Sequence, residues 1–300
     1  MRFDRLDLNL LVVLDALIAA RSVSGAAGTL NLSQPAVSGA LARLRDYFQD
    51  DLLVLTGRRM MLTPKAEQLA SPVRRALIQV RNEITQPSAF DPATAERCFR
   101  IVASDYAFSI LLARCVALSA VAAPGISFEI DQPDRFSAER LERGEIDILF
   151  TLDAYRTSNH PHLALFGDEE VVICWSGADY TDLDVDEFFL AGHAVAVFGR
   201  DHHPTSIDEH LASHPRQRRI EVRLPSFTAL PEAIVGTQRL ATMHRRFAQH
   251  LARLHPIRIL PSPFTLPRIT EIVQWHSMRH SDEGVRWLTR LLASEAAALS

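Results

Sequence analysis

The residues of this chain best placed to do chemistry lie close together near its amino terminus: Ser33, Gln34, Pro35 and Ser38, with Arg43 a little further along. A glutamine amide can pair bidentately with an adenine edge, a serine hydroxyl can meet a base or a phosphate, and a proline can touch a thymine methyl. Arg58 and Arg59 follow Gly57 between two β-prone runs, a placement suited to phosphates or a minor groove. Elsewhere the chemistry is thinner. His202-His203, His210 with His214, and His276 with His280 have spacings that a transition metal can use. No Asp/Glu–His or Cys–His framework accompanies them, so loop or surface histidines are the preferred reading and no metal is predicted. A Gly-x-Ser-x-Gly elbow, a Gly-x-Gly-x-x-Gly loop and a Gly-Lys-Thr loop are all missing, and Lys65 is the sole lysine. No enzyme and no cofactor are predicted. Cys98, Cys115 and Cys174 are odd in number and far apart, which fits three reduced, buried thiols rather than a disulfide framework or a redox pair.

The elements that must position Gln34 and its neighbours follow from periodicity. Asp7 or Asn9 can cap a helix whose Leu10, Leu11, Leu14, Leu17 and Ile18 share one face, running to about Arg21. Ser22 caps a short second helix with Val23, Ala26, Ala27 and Leu30 on its inner side. After Asn31-Leu32-Ser33, a third helix begins with Ser33 as its cap and Pro35 in its first turn, where a missing N–H does no harm. Its buried stripe is Val37, Leu41, Leu44 and Phe48, which leaves Gln34, Pro35, Ser38, Gly39, Ala42 and Arg45 facing outward. A helix pair presenting that face fits a major groove, although such hairpins also occur as plain solvated pairs. Residues 51–63 read as a β-wing around Gly57-Arg58. Thr63-Pro64 then opens an amphipathic helix to about Gln86, bent at Pro72, whose Ala66, Leu69, Val73, Leu77, Val80 and Ile84 form a seam suited to a second copy of the chain.

From Cys98 the pattern changes to alternating strands and helices. One set spans Phe99 to Leu152, and a second carries strands near Leu163 to Phe166, Val171 to Trp175, Val195 to Phe198, Arg219 to Arg223 and Leu240 to Met243. Two α/β lobes with parallel sheets are expected, with a ligand cleft at the strands' carboxyl ends. Composition agrees with several globular domains: 300 residues, 47% apolar and 23% charged. Residues 1–87 hold 11 Lys and Arg against 8 Asp and Glu, whereas the remainder holds 21 against 28, so the amino-terminal part is the one suited to phosphate. Asp15 and Arg114 interrupt the longest apolar stretches, so no membrane span is expected. The charged start Arg2-Phe3-Asp4-Arg5 shows no secretory signal, and a cytoplasmic location is expected.

Leu8-Asn9-Leu10-Leu11, Ala26-Ala27, Leu30 to Ser38, Leu41-Ala42-Arg43-Leu44-Arg45 and Leu62-Thr63-Pro64 together resemble the amino-terminal domain of LysR-type transcriptional regulators. Phe99-Arg100-Ile101, Gly144-Glu145-Ile146-Asp147, residues 241–246, Gln274-Trp275-His276 and Trp287-Leu288 extend the resemblance to the NodD/NahR/LinR branch over nearly the full length. The resemblance implies a winged helix-turn-helix over 1–63, a dimerising linker helix and hinge over 64–96, and a two-lobed α/β effector domain of periplasmic-binding-protein type over 97–300. Lobe one takes about 97–162 and 267–300, and lobe two about 163–266. Carried over by position, Ser33, Gln34, Pro35, Ser38 and Arg43 contact DNA from the recognition helix, and Arg58 and Arg59 from the wing. Ser104, Asp105, Tyr106, Thr151, Phe198, Phe227, Met243, His244 and Trp275 stand near the effector cleft. An aromatic wall with hydroxyl and imidazole donors suits a phenolic or flavonoid-like co-inducer better than a sugar phosphate.

The implied function is effector-responsive regulation of transcription from bacterial promoters, chiefly activation of aromatic-degradation genes, with nodulation or another symbiotic role as the alternative. The implied partners are double-stranded promoter DNA, further copies of the chain as dimer and tetramer, RNA polymerase and the effector. A solute-binding protein or a catalytic two-lobed protein is disfavoured by the winged helix and by the missing nucleophile–base pair. Gly25, Gly28 and Leu55 depart from the family pattern. Each helical glycine costs roughly 1 kcal/mol relative to alanine, and Leu55 stands at a wing position often basic in relatives. Gly25 and Leu55 are expected to weaken DNA binding without abolishing it.

Overall fold

The computed structural model describes residues 6–56, 59–80, 90–199 and 201–299. The chain divides into Met1–Ser88 with Glu142–Glu145, and Ala89–Leu141 with Ile146–Ser300. In the first unit, helices α1 (Asn9–Ala20), α2 (Val23–Leu30) and α3 (Gln34–Phe48) pack around Leu14, Leu17, Ala26, Val37 and Leu44, all fully buried. Capping fixes where each helix starts. Asp7 Oδ1 accepts the Asn9 N–H at 3.0 Å, Ser22 accepts that of Gly25, and Ser33 accepts that of Ala36. Arg21, Asn31 and Gln49 end the three helices in the left-handed conformation. Gly25 has a steric reason to be glycine, because a Cβ there would stand 3.1 Å from the Ala20 Cβ where α1 gives way to α2. Gly28 has open space around it, and nothing in the structure explains it.

The wing is the antiparallel pair β1 (Leu53–Thr56) and β2 (Arg59–Leu62), with Thr56 opposite Arg59. Thr63 Oγ1 donates to Asp50 Oδ1 and accepts the Ala66 N–H, so one hydroxyl joins the wing's base to the start of α4 (Pro64–Val80). The Thr63 hydroxyl and the Leu52 N–H hold the Asp50 carboxyl below its ordinary pKa. Along α4, Ala66 and Val73 are buried in the three-helix core, and Leu69 and Leu77 pack against it. This corrects the expected seam: its inner half covers α1, where Arg74 Nε also meets Asp15 at 2.9 Å. Ile84 and the expected extension to Gln86 lie outside the described residues.

The second unit is built on a mixed sheet, not the parallel sheets expected. Strands β3 (Arg97–Val102), β4 (Ile126–Asp131) and β5 (Ile148–Leu152) run parallel, but β12 (Arg268–Gln274) lies antiparallel between β5 and β6 (His162–Trp175). β6 is the structural spine. Its first half pairs with β12 in lobe one; its second half pairs with β10 (Leu240–His244) and β11 (Ile257–Leu260) in lobe two. Gly167-Asp168-Glu169-Glu170 looks like a turn in sequence, yet β12 pairs with Gly167 to Glu169 and β10 takes over at Glu170, so two predicted strands become one of 14 residues. β7 (Gly192–Phe198) pairs in parallel with β10 and with β9 (Arg219–Leu224), while β8 (His203–Pro204) lies antiparallel to β7.

Helices α5 (Asp105–Ala107) and α6 (Ala113–Ala122) join through a π-helical turn at Phe108–Leu112. The resulting run, Asp105–Ala122, has a mean hydropathy of 1.5 and is long and apolar enough to cross a membrane, contrary to the sequence expectation. In this fold its Tyr106, Leu111, Leu112 and Cys115 are core residues, and Arg114 pairs with Glu295 on α12 (Glu283–Ala297). The remaining helices α7 (Ser137–Glu142), α8 (Val185–Leu190), α9 (Ser206–Ala212), α10 (Leu230–Ile234) and α11 (Arg245–Leu251) are short. All three cysteines are free, with Cys115 and Cys174 buried. Cys98, expected to be buried, is exposed on β3, and burial pushes the Cys115 thiol up to about 12.

Candidate functional site

The outward face of α3 is as small and polar as its spacing predicts. Gln34, Pro35, Ser38, Gly39 and Ala42 are all exposed, opposite buried Val37, Leu41 and Leu44. Gln34 and Ser38 are four residues apart and therefore share one line down the helix. Ser33 is exposed, but its oxygen already accepts the Ala36 N–H at 3.3 Å; its O–H is the part left to donate. Arg43 is exposed and meets Asp7 at 3.0 Å, so a phosphate there must compete with a carboxylate. The Asn9 N–H and Arg43 together lower the pKa of Asp7. Arg45 does not belong to this face. Its Nε donates to the Asp51 carbonyl and its Nη2 to that of Leu53, both at 2.7 Å, tying α3 to the wing. Arg59 opens β2, whereas Arg58 lies outside the described residues. Leu55 is 69% exposed on β1.

The second unit contains a cavity of about 310 Å³ at the junction of its lobes. Ser104, Tyr106, Thr151, Phe198, Phe227 and His244 line it, which brings together six of the nine residues expected near the cleft. The other three lie elsewhere. Met243 precedes His244 on β10, so alternation sends the two side chains to opposite faces, and Met243 is fully buried in the main core. Trp275 lies beyond the end of β12, stacked against His280, four residues past Glu271, which borders the cavity. Asp105 instead stitches the lobes, since its Oδ2 accepts both the Thr228 N–H and hydroxyl at 2.6 Å.

Tyr106, His244 and Glu271 on the cavity lining belong to a titratable cluster whose carboxyl members, Asp168, Glu170 and Glu271, sequence reading missed. Tyr106 donates to Asp168 Oδ2 at 2.9 Å, and its ring centre sits 4.0 Å from that of His244. His244 Nδ1 faces Glu170 Oε1 at 2.9 Å, a charge contact outside hydrogen-bonding angles that leaves both Glu170 oxygens without such a bond. Glu271 on β12 borders the cavity and is 4% exposed. Burial pushes the Glu271 carboxyl up to about 8, with the Asp168 charge adding to the effect and His244 opposing it. Burial works against the charged form of His244, but Glu170, Glu271 and Asp168 outweigh it and raise its pKa. Burial and Asp168 raise that of Tyr106. The sequence does hold a signal for this cluster, because Glu271 interrupts the apolar run of β12. At the rim, Arg135 pairs with Asp201 at 3.2 Å and Tyr155 donates to Glu209. His276 neighbours His160 at 4.8 Å between ring centres, and both are buried, whereas the preferred sequence reading placed His276 on a loop or the surface.

Comparison with known proteins decides what this pair of sites belongs to. Residues 8–67 match the bacterial regulatory helix-turn-helix protein, lysR family, and residues 93–297 match the LysR substrate binding domain. The chain belongs to the LysR family of transcriptional regulators. This LysR-type regulator is 41% identical to nodulation protein D 3 of Rhizobium meliloti (strain 1021) and 42% identical to nodulation protein D 2 of Rhizobium tropici. Both similarities cover 100% of this chain and 96% of the relative. Among solved structures, a probable transcriptional regulator, PA0477 from Pseudomonas aeruginosa, superposes with a TM-score of 0.73 at 30% identity, covering 97% of this chain and 98% of its own. The relatives' names therefore correspond to the nodulation alternative, not to the aromatic-degradation role placed first in the sequence analysis.

Proposed function

We propose that this regulator binds promoter DNA through Gln34, Pro35, Ser38 and the Ser33 hydroxyl, with Arg43, Arg58 and Arg59 on phosphates, and that a phenolic or flavonoid-like co-inducer in the cavity sets its activity. Its regulon is of the nodulation or symbiosis type, in keeping with the names of its relatives. The cavity lining carries the reading. Tyr106, Phe198 and Phe227 offer aromatic surface, and Ser104, Thr151 and His244 offer polar groups to hydroxyls. The carboxylates of Asp168 and Glu170, held against Tyr106 and His244, disfavour a ligand carboxylate, and the protonated Glu271 on the lining favours a neutral phenol.

The regulator acts without catalysis, in the cytoplasm, as a tetramer built from two dimers joined in part along α4, and needs no cofactor beyond the co-inducer. Effector binding shifts the population between two arrangements of the DNA-binding pairs and so alters contact with RNA polymerase. The test is gel-shift binding to the DNA upstream of the protein's own gene at two salt concentrations, with and without phenols, flavonoids and benzoates. A salt-sensitive shift lost in Gln34→Ala, with mobility or footprint altered by a phenol but not by a benzoate, is the expected result. No shift at low salt from folded, oligomeric protein would overturn the reading.

A further inference from the structure

Lobe two holds another cavity, of about 280 Å³, against β7, β9 and α9. Strand alternation sets its floor. Ala194 and Ala196 of β7 join the main core, so Val195 and Val197 face the opposite side, where Leu211 and Ile220 complete an apolar surface. Arg223 stands beside Val195 in the parallel register of β9 on β7 and brings a guanidinium to that same side.

Arg218 is the informative residue in the lining. Its side chain is 6% exposed, Nη2 donates to Asp208 Oδ1 at 2.7 Å, and the buried Nη1 has no hydrogen-bond partner. A buried guanidinium ordinarily fills its donors, because an unmatched one has given up its hydration for nothing. Asp208 is already committed: its other oxygen accepts the Thr205 hydroxyl at 2.7 Å. Arg223 is exposed and forms no ion pair or hydrogen bond among the described residues. Two guanidinium groups thus border an apolar floor beside a single carboxylate. Only Pro204 is shared with the co-inducer cavity.

We propose that this cavity is a second ligand site, for a small organic anion whose carboxylate accepts from Arg218 and Arg223 while its apolar body rests on Val195, Val197, Leu211 and Ile220. The anion supplies the acceptor that Nη1 lacks, in the charge-assisted form that guanidinium groups favour.

Titration of the full-length protein with hexanoate and with its neutral counterpart hexanamide, followed by ligand-observed NMR, tests the site. Hexanoate is expected to bind at least about ten-fold more tightly than hexanamide, and Arg218→Gln to abolish the difference. Because Arg218→Gln also strips a partner from Asp208, Arg223→Gln at the exposed rim carries the same test without disturbing the core. It is expected to weaken hexanoate binding about five-fold or more at an unchanged melting temperature. Equal affinity for the acid and the amide, or undiminished hexanoate binding in Arg223→Gln, would overturn the proposal.

Discussion

Replacing Glu271 by glutamine should stabilise the protein, and by an amount that grows with pH. In the folded chain the Glu271 carboxyl is 4% exposed and holds its proton to about 8, against an ordinary value of 4.5. Since the folded-state value is the raised one, the stability present below pH 4.5 is lost progressively as pH rises from 4.5 to about 8, where folding must either capture a proton or bury a charge. At 1.36 kcal/mol for each tenfold difference in proton affinity, the cost is about 1 kcal/mol at pH 5, about 3 at pH 7 and about 4 at pH 8. Glutamine keeps the shape and a donor but does not titrate, so Glu271→Gln removes that cost. Urea unfolding of both proteins at pH 5, 6, 7 and 8 reads the difference directly from the midpoints if the denaturant slopes agree. A stability gap that stays flat, or narrows with rising pH, would mean that water or His244 solvates the carboxylate and that burial does not hold the Glu271 proton.

Two further outcomes follow from the amino-terminal unit. Asp7→Asn releases Arg43 from its exposed partner at 3.0 Å, so DNA binding should tighten at low salt and the slope of log affinity against log salt should steepen by about one; an unchanged slope in gel-shift titrations would remove Arg43 from the phosphate contacts. Gly28→Ala, in open space, should raise the melting temperature in line with a gain of about 1 kcal/mol in helix propensity, whereas Gly25→Ala should gain less or lose, because its new Cβ meets the Ala20 Cβ at 3.1 Å. Equal gains in thermal melts would show that the α1–α2 junction yields freely.

The sequence by itself determined the amino-terminal unit almost entirely. Its helices are capped by adjacent residues, its core follows the three-and-four spacing of Leu10 to Leu44, and the exposed line from Gln34 to Ala42 is what remains once that core is assigned. Local periodicity suffices where elements close on their sequence neighbours. Tertiary structure decided Arg45, whose place on the helical wheel says outward but whose length lets it reach the carbonyls of Asp51 and Leu53. The same holds for α4, whose seam gains its covering partner α1 only in the fold.

In the two-lobed unit the strands and most helices were legible from alternation. Their partners were not, because a strand's direction and neighbours are settled by segments more than a hundred residues away. Gly167 to Glu170 became strand because β12 holds its first three residues and β10 the last, and the short run Ile257 to Leu260, flanked by prolines, became β11 because β6 offered it a ladder. The cavity shows the same division. Six of its lining residues came from a family resemblance, but Asp168, Glu170 and Glu271 converge only when β6 and β12 cross between lobes, and no spacing along the chain records that crossing. Their altered proton affinities arise from shared burial, a property of the assembled interior that no single residue carries in its sequence context.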